Sequence, residues 1–214
     1  NTGNFAQTGS GSNSLGSDFV LGGNMSFASA ITLTDDVHIQ FTNGTLNFAK
    51  AIDSDSVGTK RSFTFSGSGD ATFDEALGGN KALRGVVLNS SGVVKLLEAA
   101  TADTFESDGT GTIKLSGPIT TSGTQTYKNS VVLEDDITLG ATSVSLRQSV
   151  TGGGHALTIN GAAELGTGDA GDTFTGLSTF SVSGATTLAT ASINTSSTQS
   201  FTGPITLTGN ATLN

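Results

Sequence analysis

The feature that most constrains this chain is a pattern that occurs three times, most clearly as Gln125-Thr126-Tyr127-Lys128-Asn129-Ser130-Val131-Val132-Leu133-Glu134-Asp135-Asp136-Ile137-Thr138-Leu139. An earlier copy runs from Met25-Ser26-Phe27 through Ile31, Leu33, Asp35, Asp36, Val37 and Ile39. A later copy runs from Gln199-Ser200-Phe201 through Ile205, Leu207, Gly209, Asn210, Ala211 and Leu213. Each copy opens on an aromatic, has apolar residues four and six positions on, then a two-residue polar turn, then apolar residues ten and twelve positions on. Alternation at period two, broken by a tight turn, means short strands meeting at corners. Such a unit cannot bury its apolar face alone and must stack on its neighbours. The pattern predicts an all-β stack, a β-solenoid.

Composition agrees. Gly is frequent, at 30 of 214 residues, Pro is nearly absent at two, and hydrophobic residues reach only 35%. Few large apolar residues at regular positions suit a thin, continuous core. Both prolines stand in one tetrapeptide, Gly117-Pro118-Ile119-Thr120 and Gly203-Pro204-Ile205-Thr206, at the start of a strand, where a missing N–H is tolerated. At 20 to 25 residues per coil, the chain predicts roughly nine coils, with Phe27, Tyr127 and Phe201 buried at equivalent corners. Residues 1–24 are the least patterned and read as an irregular first coil or a cap, and 25–214 as one continuous repeat array. The polar stretch 51–61 reads as a loop. The acidic stretch 98–109 reads as an extra coil or a loop thrown out from the stack. Paired valines at Val86-Val87 and Val93-Val94 predict strands covered on both faces or packed beneath a loop.

The net charge of −9 opposes binding to nucleic acid or to an anionic membrane surface. All nine basic residues lie between Lys50 and Arg147, so the two ends carry acids alone. No cysteine is present, which removes disulfides and thiolate chemistry. No apolar run approaches the ~20 residues of a membrane helix. The chain opens on Asn1 without a start Met or a signal peptide, and stops directly after a strand of the third copy. That reads as a segment of something longer. The uncharged, strand-forming stretch 205–214 predicts an edge that pairs with a neighbouring coil, either of a longer chain or of an identical subunit added head to tail.

The run Thr124-Gln125-Thr126-Tyr127, then Val131, Leu133 and Leu139, resumed at Thr198-Gln199-Ser200-Phe201, resembles the strand repeats of filamentous-haemagglutinin-like adhesins. These are bacterial surface proteins exported by two-partner secretion or autotransport. The resemblance covers 25–214 and is clearest over 110–214, while 50–110 fits it poorly. It implies a right-handed parallel β-helix, an extracellular location at the bacterial cell surface, and a stalk or adhesive role with glycans or cell surfaces as partners. The secretion domain and terminal barrel of such proteins have no counterpart here.

Candidate chemistry is sparse. Asp35-Asp36 and Asp135-Asp136 could pass for the carboxylate pairs of a carbohydrate-active enzyme, but both hold the corner that Gly209-Asn210 holds in the third copy. Asp and Asn favour such corners through local hydrogen bonds. His38 alternates with Val37 and Ile39 and is expected to face solvent. His155 follows three glycines at a turn. With no partner histidine or cysteine nearby in sequence, neither suggests a zinc site or a triad. Gly166-Thr167-Gly168-Asp169-Ala170-Gly171-Asp172-Thr173-Phe174 is similar to calcium-binding nonapeptides and makes Asp169 and Asp172 the metal candidates, although such sites need tandem copies. Thr32 and Thr34 begin no regular rank of the kind an ice-binding face requires. The sequence predicts no catalytic residue and no cofactor. A structural segment is expected, with a glycan- or calcium-binding module or a carbohydrate-active enzyme as the alternative.

Overall fold

A computed structural model describes residues 3–169 and 171–214. Among them are 27 strands and no helix, so none that could cross a membrane. Every strand pairing is parallel, and the strands stack as a β-solenoid of about 10 turns. One sheet has eleven strands, a second thirteen and a third three. The smallest continues through isolated bridges, Ile52 to Leu77 and Leu77 to Ala100, into strands that round a corner and join the larger sheet. The cross-section therefore has three sides, visited in a fixed order once per coil. On the first face, Met25, Leu46, Ala71, Val94, Ile113, Val131, Val150, Phe174 and Ile193 are register partners on successive coils. Their spacing runs from 18 residues (Ile113 to Val131) to 25 (Leu46 to Ala71). Ten steps at about 4.8 Å give a rod about 48 Å long.

Coils of 18 residues follow from the alternation: three sides, each of four strand residues and a two-residue corner. Equal sides also explain a departure from expectation. The three copies of the repeat begin on three different faces. Met25–Phe27 lies on the first face, Thr124–Tyr127 on the third and Gln199–Phe201 on the second. Phe27 and Tyr127 are buried, as expected, but Phe27, Tyr127 and Phe201 do not share a corner, and Phe201 is partly exposed. The motif repeats by the side, not by the coil.

The core changes character along the rod. Phe27, Phe48 and Phe73 are register partners whose rings stack at 5.4 and 4.9 Å, with Phe63 edge-on to Phe48 and Phe73. Beyond Phe73 the same column continues as Leu96, Leu115 and Leu133. Corners are tight. Gly69, Gly92 and Gly111 stack between the third and first faces, and a Cβ at each would sit 2.5, 2.6 and 1.9 Å from the carbonyl oxygen of the glycine below. Only a residue without a side chain lets successive coils close to strand spacing there.

Several local expectations are corrected. Residues 3–24 are not irregular: Phe5–Gln7, Asn13–Leu15 and Phe19–Leu21 form a coil paired to the next. The stretch 51–61 contains the strand Ile52–Ser54, and only its remainder is a loop, with Val57 exposed. Of the two readings of 98–109, the extra coil holds and the projecting loop does not. Ala100–Asp108 is a nine-residue strand with Ala102, Phe105 and Ser107 inward, supplying two sides of an additional coil. Of the paired valines, Val86 and Val94 are buried while Val87 and Val93 are only half-buried, so those strands are covered on one face.

Candidate functional site

The acidic residues sit mainly at corners, where the ladder breaks and backbone N–H groups lose their strand partner. A side chain from the preceding coil supplies the acceptor. Asp18 Oδ1 accepts from His38 N at 2.8 Å, Asp36 Oδ1 from Ser62 N at 2.9 Å, and Asp70 Oδ1 from Val93 N at 2.8 Å. At a corner, Asp136 Oδ1 takes Ala156 N at 2.8 Å, and from mid-strand Asp53 Oδ1 takes both Asn80 N and Lys81 N. Asn24 Oδ1 does the same for Thr45 N. Within the two Asp-Asp corners, the first carboxylate also accepts the N–H of the second. These side chains staple one coil to the next.

A group of charges borders an open groove lined by Asp18, Asp36, Val37, His38, Ser62 and Thr64. Arg84 pairs with Asp36 and donates from Nε to Ser62 Oγ at 3.0 Å. Arg61 grips Asp55 with two bonds, at 2.8 and 3.1 Å, and approaches Asp35 at 4.0 Å. The Arg61 hydrogen bonds hold the Asp55 carboxyl below the usual carboxylate value of 3.8. His38 is half-buried, not fully solvated, with Nε2 2.6 Å from Ser66 Oγ on the next coil. The groove offers carboxylates already held by guanidinium and amide donors.

Asp169 and Asp172 do meet, through Thr167. Its hydroxyl lies 2.6 Å from Asp172 Oδ2 and 3.1 Å from Asp169 Oδ2, and its N–H donates to Asp172 Oδ2 at 2.7 Å. Asp172 is only 3% exposed, and its carbonyl accepts from Ala191 N and the Thr190 hydroxyl. Asp172 thus pins the loop to the following coil. Ala170, between the two, lies outside the described residues. As for threonine ranks, Thr138 and Thr158 pair outward and run on into Ser181 and Ser200, but Thr32 faces Asp53.

Sequence reasoning missed one meeting. Asp135, Asp136 and His155 each offer a ligand atom within 4.8 Å of the other two. His155 is one coil beyond the Asp pair at the same corner, a separation that becomes visible only once the coil length is known.

The last coil presents a different surface. Ile205 and Leu207 point inward, in register with buried Thr186 and Leu188, yet are 44% and 63% exposed. Leu213 is 47% exposed, and a cavity opens among Thr195, Ser197, Gln199, Phe201, Leu213 and Asn214. The Gln199 Oε1 atom is buried there without a hydrogen-bond partner.

No family model, no curated protein sequence and no solved structure matches the chain.

Proposed function

We propose that this chain is a non-enzymatic structural segment of an extracellular bacterial fibre or adhesin, displayed at the cell surface. The observation that carries the reading is the use made of the acids. The corner carboxylates that an enzyme would keep free for substrate instead accept backbone N–H groups from the next coil. A residue engaged in holding the stack together is poorly placed to exchange protons with a sugar. The product of this arrangement is length and stiffness from a cheap repeat. The repeat's resemblance to filamentous-haemagglutinin-like adhesins supports the same role and supplies the location. The apolar, unpaired edge at Ile205, Leu207 and Leu213 is then covered by a further coil, from a longer chain or from an identical subunit.

Hydrolase and lyase assays on neutral and acidic polysaccharides test the catalytic side of this reading. No turnover above background is expected. Turnover that disappears in Asp36→Asn or Asp136→Asn would overturn it. Protease shaving of intact producing cells tests the location, with release of fragments of this chain expected and complete protection contradicting it.

A further inference from the structure

The two Asp-Asp corners are built alike but compensated differently. At Asp35-Asp36 the charge is met by Arg61 and Arg84. At Asp135-Asp136, among the described residues, no lysine or arginine forms an ion pair with either carboxylate. The neighbour there is His155, whose Nδ1 lies 3.8 Å from Asp136 Oδ1. The three ligand atoms fall within 4.8 Å of one another across two adjacent coils.

Backbone bonds fix this approach. Gly153 and Gly154 take φ of 61° and 94°, a turn that side chains resist. His155 N donates to Gly152 O at 2.9 Å, and Ala156 N to Asp136 Oδ1 at 2.8 Å. The His155 main chain is thereby held beside the two carboxylates, which are exposed and each anchored through Oδ1 to a backbone N–H.

We propose that Asp135, Asp136 and His155 form a divalent transition-metal site that clips one coil to the next. One imidazole nitrogen with two carboxylate oxygens suits zinc better than calcium, which asks for six or more oxygens. Tetrahedral zinc sets its ligand atoms about 3.3 Å apart, from bonds of about 2.0–2.1 Å, so a modest adjustment of the half-buried His155 ring toward the anchored carboxylates closes the site. Three protein ligands leave the fourth position for water. The ion takes the compensating role that the two arginines fill at the other corner. This inference is independent of the structural role proposed above, since a spacer or an enzyme could carry such a clip.

The chain's two histidines, His38 and His155, give the test a built-in control. Zinc chloride alone is titrated into the protein while the imidazole ring signals are followed by NMR. The His155 signals are expected to shift to saturation at one equivalent, with His38 unchanged and the thermal midpoint raised. His155→Ala should weaken zinc binding by at least about tenfold, since loss of even an outer-shell partner costs 10–100-fold. Asp135→Asn keeps the oxygen that accepts the Asp136 N–H and should still weaken zinc several-fold. Equal shifts of both histidines, or zinc affinity unchanged in either variant, would overturn the site.

Discussion

Gln125 and Gln199 make the same two bonds at different corners of the rod. Gln125 Nε2 donates to Ile119 O and Gly140 O, both at 2.9 Å, and Gln199 Nε2 to Ile193 O at 3.0 Å and Asn214 O at 2.7 Å. Each amide thus ties a carbonyl six residues back to one fifteen residues on. They differ in the other atom. Gln125 Oε1 accepts the Tyr127 hydroxyl at 3.0 Å, whereas Gln199, two residues before Phe201, has a buried Oε1 with no partner. Burial pushes the Tyr127 hydroxyl pKa well above its usual 10.0, so it remains a donor throughout the ordinary pH range.

A reciprocal pair of substitutions follows. Tyr127→Phe orphans Gln125 Oε1 and should cost about 1–3 kcal/mol, while Phe201→Tyr gives Gln199 a donor and should gain about 0.5–1.5 kcal/mol. Urea unfolding midpoints check both. Opposite signs support the shared geometry, and a destabilising Phe201→Tyr contradicts it.

Acid sensitivity should come from carboxylates held by cations and by backbone N–H groups. Asp103 is held low by the Lys60 hydrogen bond, Asp108 by the Gly109 N–H, and Asp55 by Arg61. A folded pKa below the unfolded value contributes stability that is fully present above that value, about 3.8, and is lost as pH falls through the folded pKa. Stability from these groups should therefore be flat above about pH 5 and decline below pH 4. These pairs are partly exposed and individually weak. Lys60→Met should move the Asp103 titration up toward 3.8, read by carboxyl NMR. An unmoved Asp103 would show that its pKa is set elsewhere.

Core substitutions should grade with position along the rod. Phe48 is fully buried between Phe27 and Phe73, and Phe48→Ala should cost about 3–5 kcal/mol. Phe201 belongs to the last coil and packs from one side on Phe180, so Phe201→Ala should cost about 1–2 kcal/mol. Equal costs, measured by chemical unfolding, would mean that the last coil is covered in solution.

Much of this architecture was legible because inward strand positions must be apolar and corners must turn. Leu133 and Ile137, astride Asp135-Asp136, announce two sides and a corner directly. The phase was not legible. With three sides of equal length, nothing local distinguishes the face of Phe27 from that of Tyr127. Residues 98–109 could be read as an extra coil or as a loop because Asp103, Glu106 and Asp108 point outward while Ala100, Ala102 and Ser107 fill the interior with little bulk. Bonds between coils, such as Asp136 to Ala156, join residues 20 apart and need the coil length first. The approach of His155 to Asp135 and Asp136 was hidden for the same reason.

The most direct test of the stacked-coil account is removal of one coil in phase. Thr112 and Ser130 are register partners on the first face, so deleting 112–129 joins Gly111 to Ser130 at an equivalent point. A spacer built of interchangeable coils should still fold cooperatively and shorten by one strand spacing, about 4.8 Å, in small-angle X-ray scattering. A deletion variant that fails to fold, or that keeps its full length, would contradict the account.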